Sequence, residues 1–139
     1  MGSQFPPKPQ VLIVEDEFII ADFISEIVEE SGCEVVGPFG TLPEAMQACR
    51  SADADAAIVD LALRGELAYP IAEVLTRRGI PFGFATGRDK AETESAWEQR
   101  PYLGKPFAVE ELRQFIDGML TRPPDCHGRP YAGQRKRSE

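Results

Sequence analysis

The amino-acid sequence predicts an α/β fold in which five strand–helix units build a doubly wound, parallel, five-stranded sheet. Short, β-branched-rich apolar runs alternate along the chain with longer amphipathic stretches, and Gly or Pro residues often separate them. Elements that alternate in this way place helices on both faces of one parallel sheet. The length of 139 residues, with 42% hydrophobic and 27% charged residues, fits one globular domain of this kind.

The first strand–helix unit is the clearest. Residues 11–14 (VLIV) form a compact apolar run typical of a buried strand. From 18 to 31 the apolar residues recur at helical spacing, and Gly32 supplies a stop. A second short strand is predicted over 34–37, ending at Gly37.

The second helix is predicted from its start signal. Thr41, with Glu44 three residues later, has the pattern of a capping box and opens a helix that extends to about Arg50. The run AAIV at 56–59 then predicts a third strand, which ends at Asp60.

The remaining elements follow from the same signals, with Gly79 expected just past the end of the third helix. In order they are a loop at 64–66, a helix at 69–78, a strand at 80–85, a short polar helix at 89–98, a strand at 102–104 and an amphipathic helix at 109–120. The folded domain is therefore expected over 10–121. Residues 1–9 are Pro-rich and 122–139 are basic and rich in Pro and Gly, so both are expected to be disordered.

Composition excludes several classes of function. The net charge of −8 opposes binding to nucleic acid, and the apolar runs fall far short of the roughly 20 residues that a membrane span needs. Cys33, Cys49 and Cys126 show no paired spacing, which favours a reducing compartment and hence the cytoplasm. The only histidine is His127, so a zinc site or histidine-based catalysis is not expected.

Chemically capable side chains follow the predicted strands where each strand ends. They are Glu15-Asp16-Glu17, Asp60, Thr86 and Lys105. In open parallel sheets this edge binds ligands, and clustered carboxylates without His or Cys favour a hard ion such as Mg²⁺. A carboxylate beside such an ion can act as a nucleophile toward a phosphoryl group. The alternatives are acids that stabilise a helix start, a solvated lysine and a threonine helix cap.

The motifs VLIVEDE (11–17), AAIVDL (56–61), FATG (84–87) and YLGKPF (102–107) resemble, as a set, the receiver domain of two-component response regulators. The resemblance implies a flavodoxin-like strand order, 2-1-3-4-5. It also implies that Asp60 is the phosphoryl acceptor and that Mg²⁺ is bound by Asp16, Asp60 and the carbonyl of Ala62. Glu15, the other member of the acidic pair, would act through water.

The same resemblance assigns the switch residues. Thr86 and Lys105 would bind phosphoryl oxygens, and Tyr102 would turn inward as Thr86 moves. The segments GPFGTLPEAMQA, LRGELAYPIAEVL and PFGFATG further resemble single-domain receivers with a Phe-Ala-Thr-Gly motif, found in alphaproteobacterial stress and light signalling. Two residues depart from the pattern: Arg64 stands where many receivers have Pro, and Arg88 follows the motif.

The implied function is that of a single-domain response regulator rather than an enzyme. It would accept a phosphoryl group from a sensor histidine kinase or a histidine phosphotransfer protein, then engage a downstream protein of unknown identity or serve as a phosphate sink. Two alternatives are a binding module that works without phosphorylation and an aspartyl-nucleophile phosphatase. The phosphatase pattern needs a second Asp two residues after the nucleophile, where Asp16 is followed by Glu17-Phe18.

Overall fold

The computed structural model describes residues 7–88, 93–97 and 99–121. In chain order its elements are β1 (Gln10–Val14), α1 (Phe18–Glu30), β2 (Glu34–Phe39), α2 (Leu42–Ser51), β3 (Ala56–Val59), β4 (Ala62–Leu63), β5 (Glu66–Leu67), α3 (Tyr69–Arg78), β6 (Phe82–Thr86), β7 (Tyr102–Gly104) and α4 (Val109–Thr121). Within these ranges, no helix combines the length and the apolar character needed to cross a membrane.

Five of the strands form one parallel sheet in the order β2-β1-β3-β6-β7. Counted along the chain within this sheet, that order is 2-1-3-4-5, so the predicted fold class is confirmed. The order reverses at β1, between β2 and β3, and a crevice therefore opens beyond the carboxyl ends of β1 and β3.

Two apolar layers cover the two faces of the sheet, as strand alternation requires. Leu12, Val14 and Phe84 point toward α2 and α3, whereas Val11 and Ile13 point toward α1 and α4. All five side chains are buried. Since both faces are covered, the strands read as continuous apolar runs in the sequence, and the open rim is the place where polar side chains emerge.

Local signals set the helix boundaries. The Thr41 hydroxyl accepts a hydrogen bond from the Glu44 N–H at 3.3 Å, which confirms the predicted cap of α2. Gly79 follows α3 in the left-handed region, with φ +72°, as expected of a residue that ends a helix.

Three elements differ from the sequence-based prediction. Strand β2 does not end at Gly37 but continues to Phe39, because pairing with β1 resumes after a shift in register. The expected loop after β3 is a short antiparallel hairpin, β4–β5. Half of the predicted fourth helix, residues 89–92 and 98, lies outside the described residues, and the part described contains a single 3-10 turn at Ser95–Trp97.

Candidate functional site

The sheet places the predicted site residues at one rim by extending its hydrogen bonding one residue past each strand. The Asp60 N–H donates to the Val14 carbonyl at 2.8 Å, and the Lys105 N–H donates to the Thr86 carbonyl at 2.9 Å. The Glu15 N–H likewise donates to a carbonyl of β2, at 2.9 Å. These bonds fix the backbone of each charged residue, so the side chains leave from defined points on the rim.

Lys105 joins two of the carboxylates. Its ammonium Nζ lies 2.7 Å from Glu15 Oε1 and 2.8 Å from Asp60 Oδ2. Glu15 and Asp60 are only 3% and 5% exposed. A carboxylate this deeply buried needs a counter-ion, and Lys105 supplies one to both.

The pKa values of Glu15 and Lys105 move in the same direction for different reasons. Burial raises the pKa of Glu15 to about 7, and the charge of Asp60 adds to that rise, whereas Lys105 and the Glu17 N–H oppose it. Burial alone would lower the pKa of Lys105, but its bonds to Asp60 and Glu15 outweigh burial and raise that pKa. Lys105 therefore remains a cation at neutral pH.

The donor set fits a hard divalent cation. Glu15, Asp16 and Asp60 each offer a carboxylate oxygen, and these oxygens lie within 4.8 Å of one another. Oxygen-only donors are what Mg²⁺ prefers, and that ion keeps several of its waters. Ala62 lies two residues after Asp60, and its N–H donates to Asp60 Oδ1 at 3.1 Å; the ligand role expected for its carbonyl stays a prediction.

Thr86 and Tyr102 lie on the neighbouring strands β6 and β7, Thr86 at the carboxyl end of β6 and Tyr102 at the start of β7. Thr86 is the last residue of β6, 1% exposed, and its hydroxyl lies 3.4 Å from the Arg88 N–H that donates to it. Tyr102 begins β7, pairs in register with Phe84, and packs half-buried against the core on the α2 and α3 face. Thr86 thus lies at the rim beside Lys105, whereas the Tyr102 backbone starts at the far end of its strand.

Besides the Ala62 hydrogen bond to Asp60, a second main-chain contact at the site has no counterpart in the sequence-based predictions. The Arg64 N–H donates to Asp16 Oδ2 at 3.0 Å, across 48 residues of chain. In the sequence, Arg64 is distinctive only as a departure from the usual receiver pattern. The available signal was the pair Arg64-Gly65 between Leu63 and Glu66, since two residues ending in Gly between short extended segments are typical of a tight hairpin turn.

Comparison with known proteins places this arrangement in a family. Residues 11–117 match the family described as the response regulator receiver domain. The chain belongs to this family. This match confirms the predicted family resemblance. Receiver domains are signalling modules.

Relatives of this receiver agree in sequence and in fold. The transcriptional regulatory protein PdtaR of Mycobacterium tuberculosis is 30% identical over 117 residues, a match that covers 81% of this chain and 57% of PdtaR. This chain therefore spans just over half the length of that relative. The solution structure of SdrG from Sphingomonas melonis Fr1 is 36% identical, with a TM-score of 0.73, and covers 84% of this chain and 100% of that one.

A third relative extends the likeness at the level of fold. The receiver domain of the PhyR response regulator from Erythrobacter litoralis is 24% identical to this receiver, with a TM-score of 0.73 over 82% of this chain and 91% of that one. Neighbours with this shared architecture support the doubly wound fold. The roles assigned to individual site residues stay predictions.

Proposed function

We propose that this receiver accepts a phosphoryl group on Asp60, from a sensor histidine kinase or a histidine phosphotransfer protein, in a Mg²⁺-dependent reaction. The observation that supports this most directly is the environment of Asp60. Lys105 holds its Oδ2, the Ala62 N–H holds its Oδ1, and carboxylate oxygens of Glu15 and Asp16 lie within 4.8 Å. Such a carboxylate is oriented at two points and lies beside oxygen donors suited to a metal ion.

The proposed chemistry is one phosphoryl transfer. A carboxylate oxygen of Asp60 attacks the phosphorus of a phosphohistidine, the new O–P bond forms as the P–N bond breaks, and the imidazole leaves with the electron pair. Asp16, Asp60 and the Ala62 carbonyl would hold Mg²⁺, with Glu15 acting through water; the ion would neutralise charge on the transferring group. Lys105 keeps a positive charge beside Asp60 and is in place to bind a phosphoryl oxygen.

Charge balance supports the need for a divalent cation. Three carboxylates, Glu15, Asp16 and Asp60, share the rim with the ammonium of Lys105. With all three ionised, the group has an excess of negative charge that repels an incoming phosphoryl group. A divalent cation removes this repulsion, so we expect transfer to fail when Mg²⁺ is chelated.

The surface next to the rim fits a protein donor. Phe18 and Ile19, the first two residues of α1, are 81% and 80% exposed. They follow Asp16 closely in sequence, and any protein that brings a phosphohistidine to Asp60 has to cover this edge. Exposed adjacent apolar side chains are typical of protein contact sites, so we propose that they contact the donor.

The proposed output is a shift between two packings of the β6–β7 region. Thr86 and Lys105 lie at adjoining strand ends, linked by a backbone hydrogen bond, so a phosphoryl group bound by both would draw β6 and β7 together at the rim. Tyr102 packs against the core of the same region and would change its environment. The altered surface would engage a downstream protein; a phosphate sink would use the same chemistry without that step. We place this signalling in the cytoplasm, in keeping with the buried free thiols of Cys33 and Cys49.

The first experiment measures phosphorylation directly. The protein is incubated with acetyl phosphate and Mg²⁺ and its intact mass is recorded, with Asp60→Asn as the matched variant. We expect one phosphoryl group on the wild type and none on the variant or in the presence of EDTA. An unlabelled wild type would support a binding module instead, and continuous hydrolysis of phosphomonoesters would support a phosphatase.

The second experiment separates donor contact and output from chemistry. Phe18→Ser should slow transfer from a phosphorylated donor protein by about tenfold while acetyl phosphate labels it normally. Thr86→Ala should retain Asp60 labelling but lose amide shifts near Tyr102 on addition of beryllofluoride. That probe is apt because SdrG, 36% identical to this receiver, has a solution structure in its BeF3-activated conformation. Unchanged shifts in Thr86→Ala would contradict the proposed output.

A further inference from the structure

The hairpin β4–β5 begins two residues after Asp60 and is the smaller of the two sheets in the described part of the chain. Ala62 pairs with Leu67 and Leu63 pairs with Glu66, antiparallel. A hairpin of this length depends on its turn, because two residue pairs cannot stabilise a ladder alone.

The turn has an unusual residue at its first position. Arg64 has φ +49° and Gly65 has φ +85°, and positive φ at both central residues defines a type I′ turn. Asn, Asp or Gly normally occupies the first position, because a long side chain with a Cβ is disfavoured in the left-handed region. Within the described residues, Arg64 is the one non-glycine residue with positive φ.

The main chain of the hairpin donates to the site from Ala62 in β4 and from Arg64, the first residue of the turn. The Ala62 N–H donates to Asp60 Oδ1 at 3.1 Å, and the Arg64 N–H donates to Asp16 Oδ2 at 3.0 Å. Leu63 lies between them, with a buried side chain and its partner on β5. Alternate N–H groups along an extended segment point to the same edge, so the N–H groups on either side of Leu63 reach carboxylates at the ends of both β3 and β1.

We propose that this hairpin is a positioning element for the divalent cation, with the Arg64 N–H orienting Asp16. The inference rests on the proposed Mg²⁺-dependent function. Asp16 is only half-buried and would otherwise rotate at the rim. A hydrogen bond to Oδ2 leaves Oδ1 for the ion, and Mg²⁺ requires near-ideal octahedral geometry. The type I′ turn matters because it sets the direction of the Arg64 N–H.

The test compares two variants at one position by calorimetric titration with MgCl₂, without any phosphodonor. Arg64→Asn suits positive φ and keeps the N–H while removing the guanidinium, so its Kd should stay within about twofold of wild type. Arg64→Pro removes the N–H and fixes φ near −65°, so its Kd should rise by about tenfold. A folded Arg64→Pro protein with the wild-type Kd would overturn the inference, as would an Arg64→Asn protein weakened as much as Arg64→Pro.

Two further measurements keep the test decisive. Gly65→Val strains the same turn without altering Arg64 and should also weaken Mg²⁺ binding. In the wild type, the Arg64 amide resonance should shift when Mg²⁺ is added, and in Asp16→Ala it should exchange faster with solvent. An Arg64 amide that responds to neither change would refute the inference even if both turn variants unfold.

The outcomes also separate this inference from the proposed function. A wild-type protein that binds no Mg²⁺ would defeat the function itself. Suppose instead that the wild-type protein binds Mg²⁺ and is labelled on Asp60, and that Arg64→Pro binds Mg²⁺ with the wild-type Kd. That result would contradict only the role of the hairpin.

Discussion

Replacing Lys105 with Met tests the electrostatic design of the site in the absence of any phosphodonor. Methionine keeps an unbranched side chain of similar length but removes the ammonium that Glu15 and Asp60 share. Both carboxylates are buried, so the substitution leaves two like charges without their counter-ion. We expect a large loss of stability at mildly alkaline pH.

The size of the loss follows from the two distances. At 2.7 and 2.8 Å, each pair has a Coulomb attraction of about 6 kcal/mol at an effective dielectric constant near 20. Much of this attraction offsets the desolvation of the three charges, and removing one partner of a buried pair costs about 3–5 kcal/mol net. The Lys105 side chain remains 15% exposed, so we expect the lower value, about 3 kcal/mol.

The loss should depend on pH with a defined sign. Burial raises the pKa of Glu15 from 4.5 to about 7. A carboxyl group of raised pKa stabilises the fold fully below its unfolded pKa, and this contribution is lost as pH rises through the folded pKa. Without Lys105 the pKa of Glu15 rises further, so the deficit should be largest near pH 8 and shrink toward pH 5.

Urea unfolding at both pH values, with and without Mg²⁺, measures this deficit. Lys8→Met, which removes an exposed lysine just before β1, serves as the control and should change the free energy of unfolding by less than about 0.5 kcal/mol. Added Mg²⁺ should stabilise Lys105→Met more than the wild type. A Lys105→Met protein within about 1 kcal/mol of wild type near pH 8 would refute this account of the ion pairs.

Two further predictions concern packing and thiol chemistry. Gly83→Ala should lower the free energy of unfolding by about 2 kcal/mol, since a Cβ there would approach the Phe115 ring to 2.6 Å. Gly118→Ala in α4 has open space at its Cβ and should raise the free energy of unfolding by about 0.5–1 kcal/mol. Urea unfolding measures both changes. Burial raises the pKa of Cys49 to about 11 and also raises the pKa of Cys33. Because the thiolate is the reactive form, iodoacetamide should alkylate Cys49 about a hundredfold more slowly than an exposed thiol. Mass spectrometry follows the alkylation.

The controls for these predictions are simple. Gly83→Ala and Gly118→Ala are the same chemical change. Equal changes in the free energy of unfolding would therefore show that the contact with Phe115 does not penalise a side chain at position 83. The alkylation is measured in Cys126→Ser, which removes the third thiol, and urea should restore rapid labelling. Fast labelling of Cys49 in the folded protein near pH 8 would contradict the burial of its thiol.

Much of the fold and the charged part of the site could be predicted from the sequence because the same pattern, an apolar run followed by a polar residue, indicates both. An apolar run marks a strand, and the first polar residue after it marks the rim. Asp60 and Glu15 come directly after such runs, and Lys105 follows the short strand β7. Parallel strands share one carboxyl edge, so sequence order alone brings these side chains together.

Contacts made by the main chain could not be predicted in this way. The N–H groups of Ala62 and Arg64 reach Asp60 and Asp16, yet an N–H is the same in nearly every residue and leaves no trace in composition. The left-handed conformation of Arg64 also opposes the preference of its residue type. Similarly, Gly37 resembles a strand end, and only pairing with β1 shows that the strand resumes.

The Gly37-Pro38 interruption has a consequence for how the protein behaves in concentrated solution. Strand β2 is one of the two edge strands of the sheet, where exposed backbone groups offer a template for pairing with another chain. Pro38 has no N–H to donate, and Gly37, with φ +109°, turns the backbone away from strand geometry. A neighbouring molecule cannot continue a regular ladder past this point, so the β2 edge is protected against sheet-mediated aggregation.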